Sequence, residues 1–532
     1  MKKIISYLSL VLTLLCTFPL FVQAKDTKVY INLSTLESST NQKSYQSIKE
    51  YADLESFLKD YESGNLPDVY ITGFLFDGVS SVKSPDLDDF IEAGSNDTEI
   101  KTLEIKTINI HKTGNYEFTG EITGAMIAVN TNGVKGNIHM ILNGATLDTD
   151  SKKAPAIYVY NKDKNNTDCN VTIETAKNSK NYIEGGKLKK VSLVGSDELD
   201  KYTSYYSGSN LTNYNQYSSY YGIYTSDETK NILFATVQAD REDLQDGDPY
   251  VFYKASGAIS SDIDLTFEGT GYLEVTSKNK EGIETKGNLT FSGGTGDYKI
   301  YASDDCLNTT TANSSGTTVR NDIVIDVHSL LASVSVDAEE GDAIDSNGKL
   351  TINGGTIYAF AHPNSGDAGL DSANGIFLNG GTIIATGNMT DPISSESKQN
   401  VIYVAFNQKI QADTLIAIKD EKENVIMAFQ TGRTITNLLY SSPNLNTSTY
   451  SIYTGGEING EEENGLYTKI NRYTGGEEIA YREVNTSSRF SKNQNSTSDG
   501  IGKIFLIEIG ILVVFLMGIV TAYLLSKKKE NG

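Results

Sequence analysis

Acidic residues recur at one phase of a repeated sequence, in a pattern that could bind a metal ion. Each pair lies in a turn that precedes a short apolar segment, and the pairs are Asp304 and Asp305, Asp342 and Asp345, and Asp367 and Asp371. If successive repeats stack as neighbouring strands, residues of equal phase lie about 4.8 Å apart. Carboxylates at that spacing repel one another unless they are protonated or bridged by a cation. The pattern predicts Ca2+ at these aspartates, because Ca2+ accepts about six to eight oxygen ligands. The alternative is that these residues only form turns and face water, as Asp commonly does.

Aromatic residues supply a second kind of chemistry, because a ring face can stack on a sugar while a tyrosine hydroxyl hydrogen-bonds its rim. The stretch 202–224 is rich in tyrosine, and a second group lies on one of the repeats. The candidates for carbohydrate binding are Tyr220, Tyr221, Tyr358, Phe360 and His362. The alternative for the stretch 202–224 is a low-complexity loop that binds nothing specific.

Charge and histidine content argue against other functions. The formal net charge is −23, which repels nucleic acid, so no nucleic-acid partner is expected. The four histidines show neither an HExxH motif nor a paired spacing, and they are His111, His139, His328 and His362. The sequence therefore gives no support for zinc or for Ser-His-Asp chemistry.

An internal repeat must position these residues. The segment 281–294 aligns with 341–355 and 366–381, and each copy carries an acidic turn, a short strand and a Gly-Gly pair. A degenerate copy begins at Asp304. A period in the twenties that carries several short strands predicts the coils of a parallel β-helix, an all-β solenoid. The alternative is a pair of β-sandwiches with chance similarity.

The two ends of the chain predict export and membrane attachment. Residues 1–24 have the basic start, apolar run and small-residue cleavage site of a signal peptide. Residues 504–525 are long and apolar enough for one C-terminal transmembrane helix, and the lysines of the tail 526–532 predict that this tail is cytoplasmic. The predicted location is the cell membrane, with a single pass and an extracellular N-terminal domain.

The remaining boundaries follow from changes in composition. We predict an N-terminal extension at 25–104, the β-helix at 105–395 with a tyrosine-rich insertion at 200–250, a β cap at 396–455 and a spacer at 456–503. Signal cleavage leaves Cys169 and Cys306, which either form one disulfide or remain as buried thiols.

The repeat resembles bacterial surface proteins of the carbohydrate-binding domain-containing family. The resemblance covers about residues 108–455 and is carried by Gly341-Asp342-Ala343-Ile344-Asp345-Ser346-Asn347-Gly348, by the segments 350–356 and 379–382, and by Tyr440-Ser441-Ser442-Pro443. It implies a right-handed, polysaccharide-lyase-like parallel β-helix that binds cellulose and acidic pectin-type polysaccharide, with calcium at the aspartate turns. Ala343, Cys306 and His328-Ser329 depart from the glycines of the family pattern, which puts the metal in doubt at those repeats.

Three functions remain open. The first is non-catalytic, calcium-dependent binding of extracellular polysaccharide by a protein tethered to the membrane, which is therefore not an enzyme. The second is a calcium-dependent polysaccharide lyase, for which Lys349 and Arg320 are the basic residues closest to the acidic turns in sequence. The third is a structural adhesin that binds protein.

Overall fold

The computed structural model describes most of the chain between its two ends. The described residues are 28–52, 54–72, 91–93, 100–102, 106–149, 155–161, 168–185, 191–192, 220–225, 232–238, 250–251, 257–278, 280–314 and 317–484. The predicted signal peptide, transmembrane helix and cytoplasmic tail lie outside them, as does most of the tyrosine-rich insertion.

The chain divides into two compact units. Unit 1 comprises Met1–Gln399 with Ile435–Asn444, and unit 2 comprises Asn400–Thr434 with Leu445–Gly532. The predicted β cap at 396–455 is therefore not a unit of its own, because Ile435–Asn444 belongs to unit 1.

Unit 1 is built from strands and one short helix in the described residues. Its strands before the tyrosine-rich stretch are β1 Lys28–Asn32, β2 Glu37–Ser39, β3 Gln46–Ser47, β4 Lys49–Tyr51, β5 Val69–Thr72, β6 Ile91–Ala93, β7 Ile100–Thr102, β8 Lys106–Ile110, β9 Gly114–Thr123, β10 Ala125–Asn130, β11 Gly136–Asp148, β12 Ile157–Tyr160, β13 Cys169–Thr175, β14 Lys180–Gly185 and β15 Val191–Ser192. The helix α1 spans Leu54–Glu62 between β4 and β5. Its Phe57 packs in a small core with Tyr51, Leu66 and Tyr70.

The repeat region supplies the next strands of unit 1. They are β16 Tyr220–Thr225, β17 Ile232–Gln238, β18 Tyr250–Val251, β19 Ile259–Ser261, β20 Leu265–Gly269, β21 Tyr272–Ser277, β22 Ile283–Thr285, β23 Leu289–Phe291, β24 Asp297–Ala302, β25 Leu307–Thr309, β26 Thr311–Ser314, β27 Thr317–Arg320, β28 Ile323–Val334, β29 Ile344–Ser346, β30 Leu350–Phe360, β31 Asp371–Ser372, β32 Ile376–Leu378 and β33 Thr382–Thr386.

Unit 2 has an antiparallel sheet of its own. The strands that follow β33 are β34 Val401–Ile410, β35 Leu415–Lys419, β36 Val425–Gln430, β37 Ile435–Ser441, β38 Ser448–Thr454, β39 Glu457–Glu463, β40 Leu466–Thr474 and β41 Glu477–Val484. Six of them form a sheet in the order β39-β40-β36-β35-β38-β41. β37 belongs to unit 1 and pairs antiparallel with β33.

Parallel, in-register pairing links successive repeats in unit 1. One sheet runs β31-β29-β25-β22-β19-β12-β10-β8-β5-β4 and is parallel except between β5 and β8. In the larger sheet, Leu265 of β20 pairs with Leu289 of β23, which pairs with Ile323 of β28. Residues of equal phase in the repeat are therefore neighbours across the strands.

The prediction of a right-handed parallel β-helix is wrong as a fold class, because the larger sheet of this all-β unit closes into a barrel. Three long strands each pair with two different strands along their length and join both sets into one sheet. β11 pairs with β13 and β14, β28 pairs with β23 and β24, and β30 pairs with β32 and β33. The repeat period specifies parallel neighbours, but it does not specify where a strand continues round a corner.

The predicted location also needs correction. In the part of the chain that the structure describes, no helix has both the length and the apolar character needed to cross a membrane. The predicted transmembrane helix, 504–525, lies outside these residues, so the described part of the chain does not support the single-pass membrane location, which is not carried further.

Alternating side chains build the core of the barrel. Along β20 and β23, Leu265, Phe267, Leu289 and Phe291 are fully buried, and the residues between them are partly exposed. The rings of Phe267 and Phe291 stack with centroids 4.9 Å apart. This period of two, imposed by the pleat of a strand, places apolar residues inside and polar residues outside.

Candidate metal and carbohydrate sites

A column of polar side chains crosses four neighbouring strands at one position. Glu284 of β22 pairs with Asn308 of β25, Asn308 pairs with Asp345 of β29, and Asp345 pairs with Asp371 of β31. All four side chains are partly buried. The equal phase read from the sequence therefore corresponds to adjacent positions on parallel strands, about 4.8 Å apart.

A second row of carboxylates lies in the turns before these strands. Asp305 accepts a hydrogen bond from the backbone N–H of Asp342 (2.7 Å), and Asp342 accepts one from the backbone N–H of Ala368 (2.5 Å). Asp367 accepts one from the backbone N–H of Gly341 (2.7 Å) and another from the hydroxyl of Ser365. Backbone donors therefore hold Asp305 and Asp342 against the following turn and Asp367 against the preceding one.

Burial and mutual repulsion raise the pKa of several of these carboxyl groups. The pKa of Asp342 rises to about 8, mainly through burial, with the Asp371 carboxylate adding to it, while backbone donation opposes the rise. Burial and Asp391 raise the pKa of Asp345 to about 6 and that of Asp371 to about 7. Burial and Asp304 hold the pKa of Asp305 well above its ordinary value. At neutral pH the site therefore holds protons that a cation could replace.

The donor set fits a hard cation. Asn308 donates from Nδ2 to Asp305 Oδ2 (2.6 Å), whereas its Oδ1 is buried and has no hydrogen-bond partner. An unpartnered buried oxygen among carboxylates matches the oxygen ligands that Ca2+ prefers. Among the described residues, however, these aspartates form no group of three whose ligand atoms all lie within 4.8 Å of one another. A bound Ca2+ would therefore need carbonyl, amide or ligand oxygens as well.

Asp304 differs from the other predicted ligands. Its carboxylate accepts a hydrogen bond from the ammonium of Lys280 at 2.6 Å, and both side chains are largely buried. The ammonium of Lys280 is therefore already the cationic partner of Asp304. The remaining predicted ligands, Asp305, Asp342, Asp345, Asp367 and Asp371, form the candidate site, which we call the aspartate site, and Asn308 joins them.

The predicted aromatic platform does not face solvent. Tyr358, Phe360 and His362 are 1%, 9% and 5% exposed. A sugar ring cannot stack on a face that solvent does not reach, so this burial argues against the platform. Tyr220 and Tyr221 begin strand β16, but their side chains lie outside the described residues.

A different group of tyrosines lies on the outer face of the barrel and was missed from the sequence. Tyr182 of β14 is 41% exposed, and its ring packs edge-on against Tyr272 of β21 at 6.1 Å. The hydroxyl of Tyr272 donates to Glu274, and Tyr301 of β24 is a partly buried neighbour on the same sheet. We call Tyr182, Tyr272 and Tyr301 the tyrosine face. The alternation of apolar and polar residues along β14 and β21 is the sequence signal that could have indicated the tyrosine face.

The raised pKa values predict a stability that falls with rising pH when divalent cations are absent. An Asp in the unfolded chain loses its proton near pH 4, whereas folded Asp342 keeps its proton up to about pH 8. Because the folded state then binds more protons, the free energy of unfolding decreases as the pH rises from about 4 to about 8. Thermal unfolding at several pH values in EDTA measures this decrease. Excess Ca2+ is expected to flatten it, and equal slopes with and without Ca2+ would contradict the assignment.

The fold and these sites define an all-β protein with a polar, partly buried carboxylate column and a partly exposed tyrosine face. Residues 104–213 and 214–315 each match a family model described as carbohydrate-binding domain-containing protein. The match supports a carbohydrate-binding domain family for this part of the chain, in agreement with that part of the resemblance. The chain shows no significant match to any curated protein or any solved structure.

Proposed function

We propose that this protein binds polysaccharide without cleaving it and that calcium at the aspartate site contributes to binding. The family match supports the carbohydrate ligand, and it covers Asp304, Asp305 and the tyrosine face. The aspartate site supports calcium through its partnerless Asn308 Oδ1 and its closely spaced carboxylates. Cellulose and acidic pectin-type glycans are the candidate ligands.

Calcium would reconcile an acidic protein with an acidic glycan. The formal net charge of −23 repels uronate carboxylates unless a cation lies between the two. A Ca2+ ion held by Asp342 and Asp345 would retain coordination positions for sugar oxygens, because Ca2+ takes about six to eight oxygen ligands. A neutral glycan such as cellulose would instead depend on stacking against the tyrosine face.

The contacts of the basic residues favour binding over a lyase reaction. The ammonium of Lys349 lies 5.6 Å from the ring centroid of Phe377, and Arg320 donates to the carbonyl oxygen of Asn347 at 3.4 Å. A general base must reach the proton that it removes. Lys280, which contacts the acidic turns directly, already donates to Asp304.

Calorimetric titration with polygalacturonate tests the proposal. We expect binding in Ca2+ and its loss in EDTA, and cellulose binding that EDTA leaves unchanged. Tyr182→Ala should weaken binding of either glycan by about 3- to 10-fold, which corresponds to about 0.5–1.5 kcal/mol of stacking energy.

Tyr45→Ala is the matched control, because Tyr45 is 39% exposed and lies in the N-terminal part of the chain rather than on the tyrosine face. Its affinity should equal that of the unchanged protein. Absence of binding to both glycans would overturn the proposal. Release of unsaturated uronate during the titration would instead identify a lyase, and retention of a protein ligand without glycan binding would identify an adhesin.

A further inference from the structure

Three outward-facing side chains on neighbouring strands converge on one point of the barrel. His139 lies on β11, Glu174 on β13 and Glu268 on β20, and these strands pair in parallel. Glu174 and Glu268 are direct register partners. One ligand atom from each residue, a ring nitrogen and two carboxylate oxygens, lies within 4.8 Å of the other two.

The distances among these atoms are those of a coordination sphere. His139 Nε2 lies 3.0 Å from Glu174 Oε2 and 3.6 Å from Glu268 Oε1. In a tetrahedral zinc site with bonds of about 2.0–2.2 Å, neighbouring ligand atoms are about 3.3–3.6 Å apart. The three side chains therefore need little movement to share one ion.

Hydrogen bonding fixes which nitrogen faces the carboxylates. The other ring nitrogen, Nδ1, lies 3.1 Å from Asn115 Oδ1, an acceptor to which a protonated Nδ1 donates. Donation from Nδ1 to Asn115 would leave the lone pair of Nε2 free to bind a metal beside the two carboxylates. Donation from the second ring nitrogen to a carbonyl or carboxylate is the usual way in which proteins orient a metal-binding histidine.

Nε2 is also a buried atom without a hydrogen-bond partner, although Glu174 Oε2 is only 3.0 Å away. Glu174 thus approaches outside the direction in which Nε2 could donate. A metal bound to Nε2 would lie along the direction of its lone pair. Each carboxylate oxygen would then lie to one side of that line. The nearest lysine interaction does not replace the ion, because Lys28 donates to Glu117 at 2.8 Å and acts on Glu174 only at longer range.

We propose that His139, Glu174 and Glu268 bind a divalent transition metal, with Zn2+ as the ion that suits one imidazole and two carboxylates. The three protein ligands leave a fourth position for water or for an oxygen of a bound molecule. Partial exposure of the three side chains (26%, 33% and 44%) gives that position access to solvent. This inference does not depend on the proposed function.

The test is titration of the full chain with Zn2+ and with Co2+ in excess Ca2+, which occupies oxygen-only sites. His139→Asn should weaken Zn2+ binding by about 100-fold or more and remove the visible absorption bands of tetrahedral Co2+, while Asn115→Ala should weaken binding by about 10- to 100-fold. His328→Asn is the control, because His328 contacts a single carboxylate, that of Asp297 at 2.6 Å.

Glu174→Gln keeps the result interpretable if His139→Asn does not fold, since it preserves shape and should also abolish the Co2+ bands. Circular dichroism identifies the folded variants. Equal Zn2+ affinity in the unchanged protein, His139→Asn and Glu174→Gln would overturn the proposal and leave His139 as one member of a surface ion pair. A loss that also occurs in His328→Asn would overturn it too.

Discussion

The double substitution of Asp342 and Asp345 by Asn is expected to weaken calcium binding by about 100-fold or more, because ligand charge is a main determinant of Ca2+ affinity. The same variant should unfold at a higher temperature than the unchanged protein when both are calcium-free at pH 8 to 9. Asn imitates the protonated carboxyl group, whose pKa in the folded protein is about 8 for Asp342 and about 6 for Asp345. The variant therefore avoids the cost of charging buried groups, which is about 1.4 kcal/mol for each pKa unit.

Calorimetric titration with Ca2+ and thermal unfolding in EDTA measure the two effects. Asp337→Asn removes an exposed carboxylate from the same part of the chain, so it should change neither calcium affinity nor unfolding temperature appreciably. A lower calcium affinity together with a higher unfolding temperature in EDTA would distinguish a metal site from a set of turn-forming aspartates. Unchanged calcium affinity in the double variant would refute the assignment, and reduced stability in EDTA would show that these groups are charged and stabilising.

Phe291→Ala should be the most destabilising single change among those considered, at about 3–5 kcal/mol. The side chain is fully buried, its ring stacks on Phe267 at 4.9 Å, and the edge of Tyr298 meets it at 5.0 Å. Removing the ring loses its burial and leaves a cavity whose walls are strands held by hydrogen bonds on both sides. Denaturant unfolding followed by circular dichroism measures the change.

Phe377→Ala is the matched control, because Phe377 is also a phenylalanine in a three-residue strand of the repeat but is its middle residue, points to the outer face and is only partly buried. We expect it to cost a fraction of the Phe291 value. A similar loss for the two variants would mean that burial in the barrel does not dominate stability.

Sequence periodicity predicted the neighbours in the repeat correctly, but it could not predict how the sheet closes. The pairing of Asn308, Asp345 and Asp371 follows from equal phase alone, since parallel strands place equal positions side by side. Closure depends on whether a strand such as β28 continues through a corner. Strand β28 continues through His328-Ser329 and β30 continues through Gly354-Gly355, so a Gly-Gly pair in the sequence does not show whether a strand ends at the corner.

Among the candidate sites too, some were predictable from the repeat and others were not. The aspartates share a phase, so their proximity was predictable. His139, Glu174 and Glu268 occupy three strands of an irregular part of the repeat, where intervals of 35 and 94 residues give no visible spacing. The burial of Tyr358 also had no sequence signal, because an aromatic residue in a strand suits an inner face as well as an outer one.

The hairpin formed by β26 and β27 marks a place where residues can be added to a repeat without shifting its paired strands. Adjacent repeats are offset by 24 residues at Asn288 and Asp264 and by 26 at Ala368 and Asp342, but by 37 at Asp342 and Asp305. The hairpin, Thr311–Ser314 with Thr317–Arg320, contains the extra residues outside the paired strands. A shift of one residue within a strand would turn its inner side chains outward. Evolution can therefore add segments at this corner, as an engineer could insert a peptide tag there, while the carboxylate column keeps its alignment.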